Sequence, residues 1–350
     1  MPERVIREGT HPFRPRPCLS PLLRRPAVLL AAVILLALCI LASLFVGSSR
    51  IPADQVAHYL LHPDASNVSY NINVLRVERT IIGVLVGAAL AVSGAVMQAV
   101  TRNPLAEPGL LGVNAGASLG IVLGTAALGV LPVPGQLLLA AGGALTATAL
   151  VQVIGMIGGS TSSPVRLVLI GVAFSAFAGA VIRGVVLAMP NLFRTFIDWE
   201  VGSLTRADIP LLPMTLLVVL GTGAALLLAG ALDNIALGDD VAAALGTRVG
   251  LVRGLSLVVI TLLCATATTV AGPIGFVGLM APLTASWLMG PHRGWIVALC
   301  ALGGPVVVLA ADVLGRVLAR PGEMQVGLLT AFVGSPVLLL MVLRMKDRAS

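Results

Sequence analysis

The chain has 350 residues, 57% of them hydrophobic and 11% charged. A soluble domain carries about 25% charged residues, so this chain cannot clothe itself for water, and its solvent has to be lipid. Its formal charge is +7, but the basic residues are scattered between apolar runs. That spacing fits membrane topology and offers no basic face for nucleic acid.

Residues 1–25 are polar and rich in Pro and Arg (Arg4, Arg7, Arg14, Arg16, Arg24, Arg25), the composition of a disordered cytoplasmic tail. Residues 26–350 form a single transmembrane domain. A membrane span needs about 20 apolar residues. Ten runs approach that length, near 26–46, 77–100, 109–130, 136–157, 166–188, 209–231, 251–271, 274–290, 295–314 and 325–344. The first follows Arg24-Arg25 but is too long for the apolar core of an export signal, and it reads as a retained helix. The seventh and eighth are separated only by the breakers Gly272-Pro273 and Gly275. The predicted fold is therefore an all-α polytopic membrane protein of about ten transmembrane helices.

Arginine sets the orientation. With the N-terminus inside, ten spans return the C-terminus inside. The cytoplasmic side then holds the six tail arginines with Arg102, Arg166, Arg248, Arg253, Arg293, Arg344, Lys346 and Arg348. The outside holds Arg50, Arg76, Arg79, Arg194, Arg206, Arg316 and Arg320. Fourteen against seven supports N-in and C-in.

Charge also bears on the energy source. Intramembrane carboxylates usually mark ion or proton paths. None of the fifteen acids falls near the middle of a span. Asp312 comes closest, near the outer end of the ninth. This weighs against the alternative of an ion-gradient-driven secondary transporter. A P-loop needs a lysine after its glycines, and the only lysine, Lys346, stands in the C-terminal tail. The chain therefore has no nucleotide site of its own. Cys18, Cys39, Cys264 and Cys300 form no C-x-x-C pair, and His58 and His62, four apart, lack a third ligand nearby. No metal site is expected.

Three stretches carry more than hydropathy. Arg76–Ser118 joins two small-residue helices through a loop containing Asn103-Pro104 and Pro108-Gly109. Leu237–Gly250 (LGDDVAAALGTRVG) is a polar, helix-prone insert in the cytoplasmic loop at about 232–250. Ala271–Pro282 (AGPIGFVGLMAP) is apolar and broken by Gly and Pro.

Together these stretches resemble the permease subunits of ATP-binding-cassette importers for iron-siderophores, haem and cobalamin, the FecCD-type family. That family's pattern runs R-L-P-R-T, S-G-A-x-M-Q and N-P-L-A-x-P-x-L-L-G. Its counterparts here are Arg76–Thr80, Ser93–Gln98 and Asn103–Gly112. The likeness continues through Trp199, Gly202–Leu204, Leu237–Gly246, Gly272–Leu279, Ala311-Asp312, Arg316 and Val326-Gly327. Glu78, Leu283 and Met324-Gln325 depart from it, where Pro, His and Leu-Pro are usual.

The resemblance implies a non-enzymatic permease in the cell membrane, surrounded by lipid and paired with a second permease, identical or paralogous. Two copies of a separate ATPase subunit would bind ATP and magnesium, leaving this chain without a cofactor. An extracytoplasmic binding protein would deliver the ligand. Arg76, Arg79 and Arg316 would dock that protein's carboxylates. Gly238, Asp239, Asp240, Ala243, Leu245 and Gly246 would form the coupling helix for the ATPase. Ser160, Thr161, Ser162 and Ser163 would narrow the pathway as a cytoplasmic gate. An inverted repeat of spans two to five and seven to ten is also expected.

Overall fold

The computed structural model describes residues 21–49, 51–157, 164–189, 196–197, 199–205, 209–320 and 322–349. Among these residues the ordered elements are all helical. The long helices are α1 (Pro21–Phe45), α4 (Val77–Thr101), α5 (Val113–Leu128), α6 (Val133–Met156) and α7 (Pro164–Ala188). They continue with α8 (Leu211–Ala236), α10 (Val249–Ala271), α11 (Val277–Met289), α12 (Arg293–Leu318) and α13 (Val326–Ala349). Two short helices, α2 (Ala53–Leu61) and α3 (Asn67–Tyr70), lead into α4 through a π-helical turn at Asn71–Arg76. The six-residue α9 (Asp239–Ala244) lies between α8 and α10.

These long helices correspond one to one with the ten apolar runs. Seven are long and apolar enough to cross a membrane; the apolar stretches Val113–Leu128, Val277–Met289 and Val326–Leu339 are shorter. At 13 residues, α11 rises about 20 Å, less than the roughly 30 Å hydrocarbon core. Non-helical chain precedes it at 272–276 and precedes α5 at 102–112, broken only by the short 3₁₀ turn Pro108–Leu111. Such backbone is tolerated at membrane depth only where protein satisfies it.

Here the two breaks satisfy each other. Glu107 accepts the backbone N–H of Phe276 at 3.0 Å. Phe276 is the N-cap of α11 and adopts a left-handed φ of 69°, so Glu107 also places negative charge at a helix N-terminus. Pro108 packs against Gly278. Asn114, at the start of α5, accepts a hydrogen bond from Thr268 of α10 at 2.8 Å.

The helix α4 is the centre of the bundle. It is buried along most of its length and packs against α8, α10, α11 and α12. Small residues allow this, because helices in lipid associate through close backbone approach. A Cβ on Gly87 would come within 2.6 Å of the Gly304 carbonyl oxygen of α12, and one on Gly94 would overlap the backbone of Gly278. One turn beyond Gly94, Gln98 donates to the Leu279 carbonyl at 3.1 Å. The S-G-A-V-M-Q run is thus a contact face for the start of α11. Across the bundle, Ser203 donates to the Ala271 carbonyl at 2.7 Å, next to the buried Trp199.

Gly94→Val forces methyl groups into backbone that cannot rotate away. We expect a loss of about 3 kcal/mol or more, read as the disappearance of the monodisperse peak in size-exclusion chromatography of detergent extracts. Gly303→Val, whose added Cβ meets open space, is the control and keeps that peak.

Candidate functional site

The charged residues gather at the two ends of α4. The outer cluster begins with an unmet need at α1. A helix leaves its last carbonyls without intrahelical partners, and its C-terminus favours cations. Three arginines from elsewhere meet that need. Arg76 donates to the carbonyls of Leu44 (2.9 Å) and Phe45 (3.3 Å). Arg316 donates to those of Ser43 (2.8 Å) and Val46 (3.1 Å), and Arg320 to that of Gly47 (2.9 Å). Ser43 shares a hydroxyl contact with Thr80 of α4 at 2.8 Å.

Asp312 gives the cluster its buried negative charge. It is fully buried on α12. Arg79 meets it through Nε at 3.0 and 3.1 Å and Nη2 at 2.6 Å. Arg316, one turn along the same helix, meets it through Nε at 2.9 Å and through Nη2. Glu323, on the loop before α13, takes the remaining Arg79 Nη1 at 2.5 Å and the Ser48 hydroxyl at 2.7 Å. Burial pushes the Glu323 carboxyl up. The hydrogen bond and charge of Arg79, the Ser48 hydroxyl and the charge of Arg316 outweigh that and hold it below its ordinary 4.5. The carboxylate's contribution is therefore full above pH 4.5 and is lost as pH falls through its lowered folded value.

The sequence reading placed Arg76, Arg79 and Arg316 on the outer face as docking groups. The structure gathers them near the end of α1, but all three are buried, Arg316 to 1% exposure, and their donors are engaged within the chain. The cause is the α1 terminus together with Asp312; spacing along α12 connects Asp312 to Arg316, but not to Arg79, and connects none of the three to α1. A cavity of about 230 Å³ opens beside them, lined in part by Arg76, Arg79, Arg316, Glu78, Leu204 and Glu323. Glu78 has no ion-pair partner among the described residues.

The inner cluster surrounds α9. Asp239 receives Arg253 of α10 at 3.0 and 3.1 Å and also Arg102, the residue that ends α4. At a helix N-terminus Asp239 would favour the dipole. It lies in the first turn, but its oxygens go to these two arginines. Asn234 donates to the Thr247 hydroxyl at 2.9 Å across the base of the loop, and Asp233 accepts the Arg293 N–H that opens α12 at 2.9 Å. Within α9 only Ala242 is buried, while Val241 is 47% exposed and Leu245, just past the helix, is 58% exposed. Gly238 (φ 118°) and Gly246 (φ 81°) bound the helix in backbone conformations that favour glycine. Asp240 and Ala243 are exposed. The expected gate Ser160–Ser163 lies outside the described residues.

Nine long apolar helices beside a buried central one, with the ion pairs among the described residues gathered at the two ends of the bundle, define a polytopic membrane permease. The chain belongs to the FecCD transport family, whose model matches residues 35–344. It is 43% identical over 320 residues to the ferric enterobactin transport system permease protein FepD of Escherichia coli (strain K12), covering 91% of this chain and 94% of that one. It is 38% identical to the Fe(3+)-citrate import system permease protein YfmD of Bacillus subtilis (strain 168), covering 85% and 88%. It is 34% identical to the hemin transport system permease protein HmuU of Yersinia pestis, covering 89% and 96%. A solved structure described as an inward-facing metal-chelate type ABC transporter aligns with a TM-score of 0.79 at 25% identity, covering 91% of this chain and 99% of that one.

Asp312→Asn removes the buried carboxylate that Arg79 and Arg316 share, leaving Arg316 without a counter-ion, and is expected to cost about 3–5 kcal/mol. Glu323→Gln, which removes a carboxylate partly screened by solvent, should cost about 1 kcal/mol or less, in full above pH 4.5 and progressively less as pH falls below it. Thermal melts of the purified protein across pH check both. An Asp312→Asn melt equal to wild type would contradict the role given to that carboxylate.

Proposed function

We propose that this chain is the translocation subunit of an ATP-driven importer for iron chelates, with ferric siderophore as the cargo class. The observation that carries the reading is α9. Val241 and Leu245 stand exposed on a cytoplasmic element whose ends are fixed by glycine and whose other face is tied into the core. An apolar surface of this kind, outside the lipid, calls for a protein partner. In a member of this family that partner is a separate ATPase subunit, which binds the nucleotide. Asp240, Ala243 and Leu245 face it, and Asp239 is turned inward. Two permeases, identical or paralogous, form the pathway. The likeness to FepD favours ferric enterobactin over ferric citrate and hemin.

At the outer face, a binding protein would approach the cavity beside Arg79. Glu323 holds an Arg79 donor that a carboxylate from outside could take instead, so docking becomes an exchange of one carboxylate for another. Glu323→Gln frees that donor, and capture of the loaded binding protein should tighten. Weaker or unchanged capture on a surface-immobilised permease complex would count against the exchange.

The transport reading is tested by uptake of ferric enterobactin, ferric citrate and hemin in a strain lacking this chain, with and without its return on a plasmid. Uptake should stop when ATP is depleted and survive an uncoupler while ATP is maintained. The reverse pattern would favour a gradient-driven transporter.

A further inference from the structure

Arginine 102 stands where the backbone does not favour it. It closes α4 with φ 51° and ψ 30°, the left-handed conformation that helices usually end on with glycine or asparagine. Arg102 and Phe276 are the two non-glycine residues with positive φ among the described residues. What the side chain does there is reach Asp239, on the first turn of α9 and 137 residues away. Asp239 is held from its other side by Arg253 of α10. One carboxylate thus joins the coupling helix to two long helices, and one of the two is the buried centre of the bundle. The opposite end of α4 carries Arg79, fastened to Asp312 and Glu323. Between these ends α4 is an uninterrupted helix of 25 residues, packed backbone to backbone at Gly87 and Gly94. It spans about 37 Å at 1.5 Å per residue.

We propose that Arg102 is a positioning residue for energy coupling: its ion pair with Asp239 makes α4 follow α9, so that displacement of α9 at the cytoplasmic face is delivered to the outer arginine cluster. This rests on the importer reading above. The contact is half exposed and would be a weak contributor as a surface bridge. Its importance is that it is the ion pair joining α9 to the central helix among the described residues. Arg253 keeps α9 in place on α10 when Arg102 is removed. Removing Arg102 therefore cuts the link to α4 without undocking the helix.

The test is Arg102→Gly, which suits the backbone better than the native residue and deletes the ion pair. In the full transporter, reconstituted in liposomes with its ATPase and binding protein, the variant should melt at or above wild type and retain its ATPase on purification. Basal ATP hydrolysis should be unchanged, while ATP-driven uptake of ferric enterobactin falls about tenfold. Arg102→Lys, which can still meet Asp239, should recover most of that uptake. A second readout needs no cargo: hydrogen exchange in the permease should quicken at 239–246 in Arg102→Gly and stay unchanged within 77–101. Wild-type uptake in Arg102→Gly, loss of the ATPase from the purified variant, or unchanged exchange at 239–246 would each overturn the proposal. A wild-type complex that couples no ATP hydrolysis to uptake fails the importer reading instead, and that result is visible before any variant is compared.

Discussion

A carboxylate with no access to water sits between two arginines, and three helices meet on it. Asp312 belongs to α12, Arg79 to α4, and Arg316 extends from α12 to the end of α1. Each charge alone would be prohibitively costly at this depth. Together with Glu323 they are hydrogen-bonded, balanced in charge and directional. Hydrophobic burial cannot fix which apolar helix lies beside which, because lipid tails are as good a neighbour as leucine. The ion cluster and the glycine contacts supply what burial lacks, a single register between α1, α4 and α12.

The long helices were legible in the sequence because hydropathy is a one-dimensional signal, and lipid makes it strong. The breaks at 102–112 and 272–276 were legible as Gly and Pro punctuation. Their meeting through Glu107 and Phe276 was not, since the two residues are 169 apart. The same holds for Arg79 with Asp312 and for Arg102 with Asp239. The bias of basic residues between sides assigned these arginines to opposite ends of the bundle, and the structure has Arg79 and Arg102 at opposite ends of α4. The sequence could not show that each already had a partner. Arg102 did carry one readable sign, a long charged side chain directly before Asn-Pro, where a helix must end.

The two faces are built on different terms. The outer cluster is buried and over-determined, with Arg316 alone making bonds to Asp312, Ser43 and Val46. The inner one is half exposed, rests on few contacts, and is bounded by glycines at 238 and 246. The end of α1 is thus held by many more bonds than α9 is.

The arginine cap on α1 also bears on the order of biogenesis. Of the long helices, α1 is the first to leave the ribosome, and its membrane-facing stretch is barely covered by the rest of the fold. Its exposed carbonyls wait for Arg316, some 273 residues downstream. The first helix to enter the bilayer is thus among the last to be fixed in place. A chain truncated before α12 would leave the end of α1 held by Arg76 and by the Ser43–Thr80 contact, with Arg79 lacking both of its carboxylates.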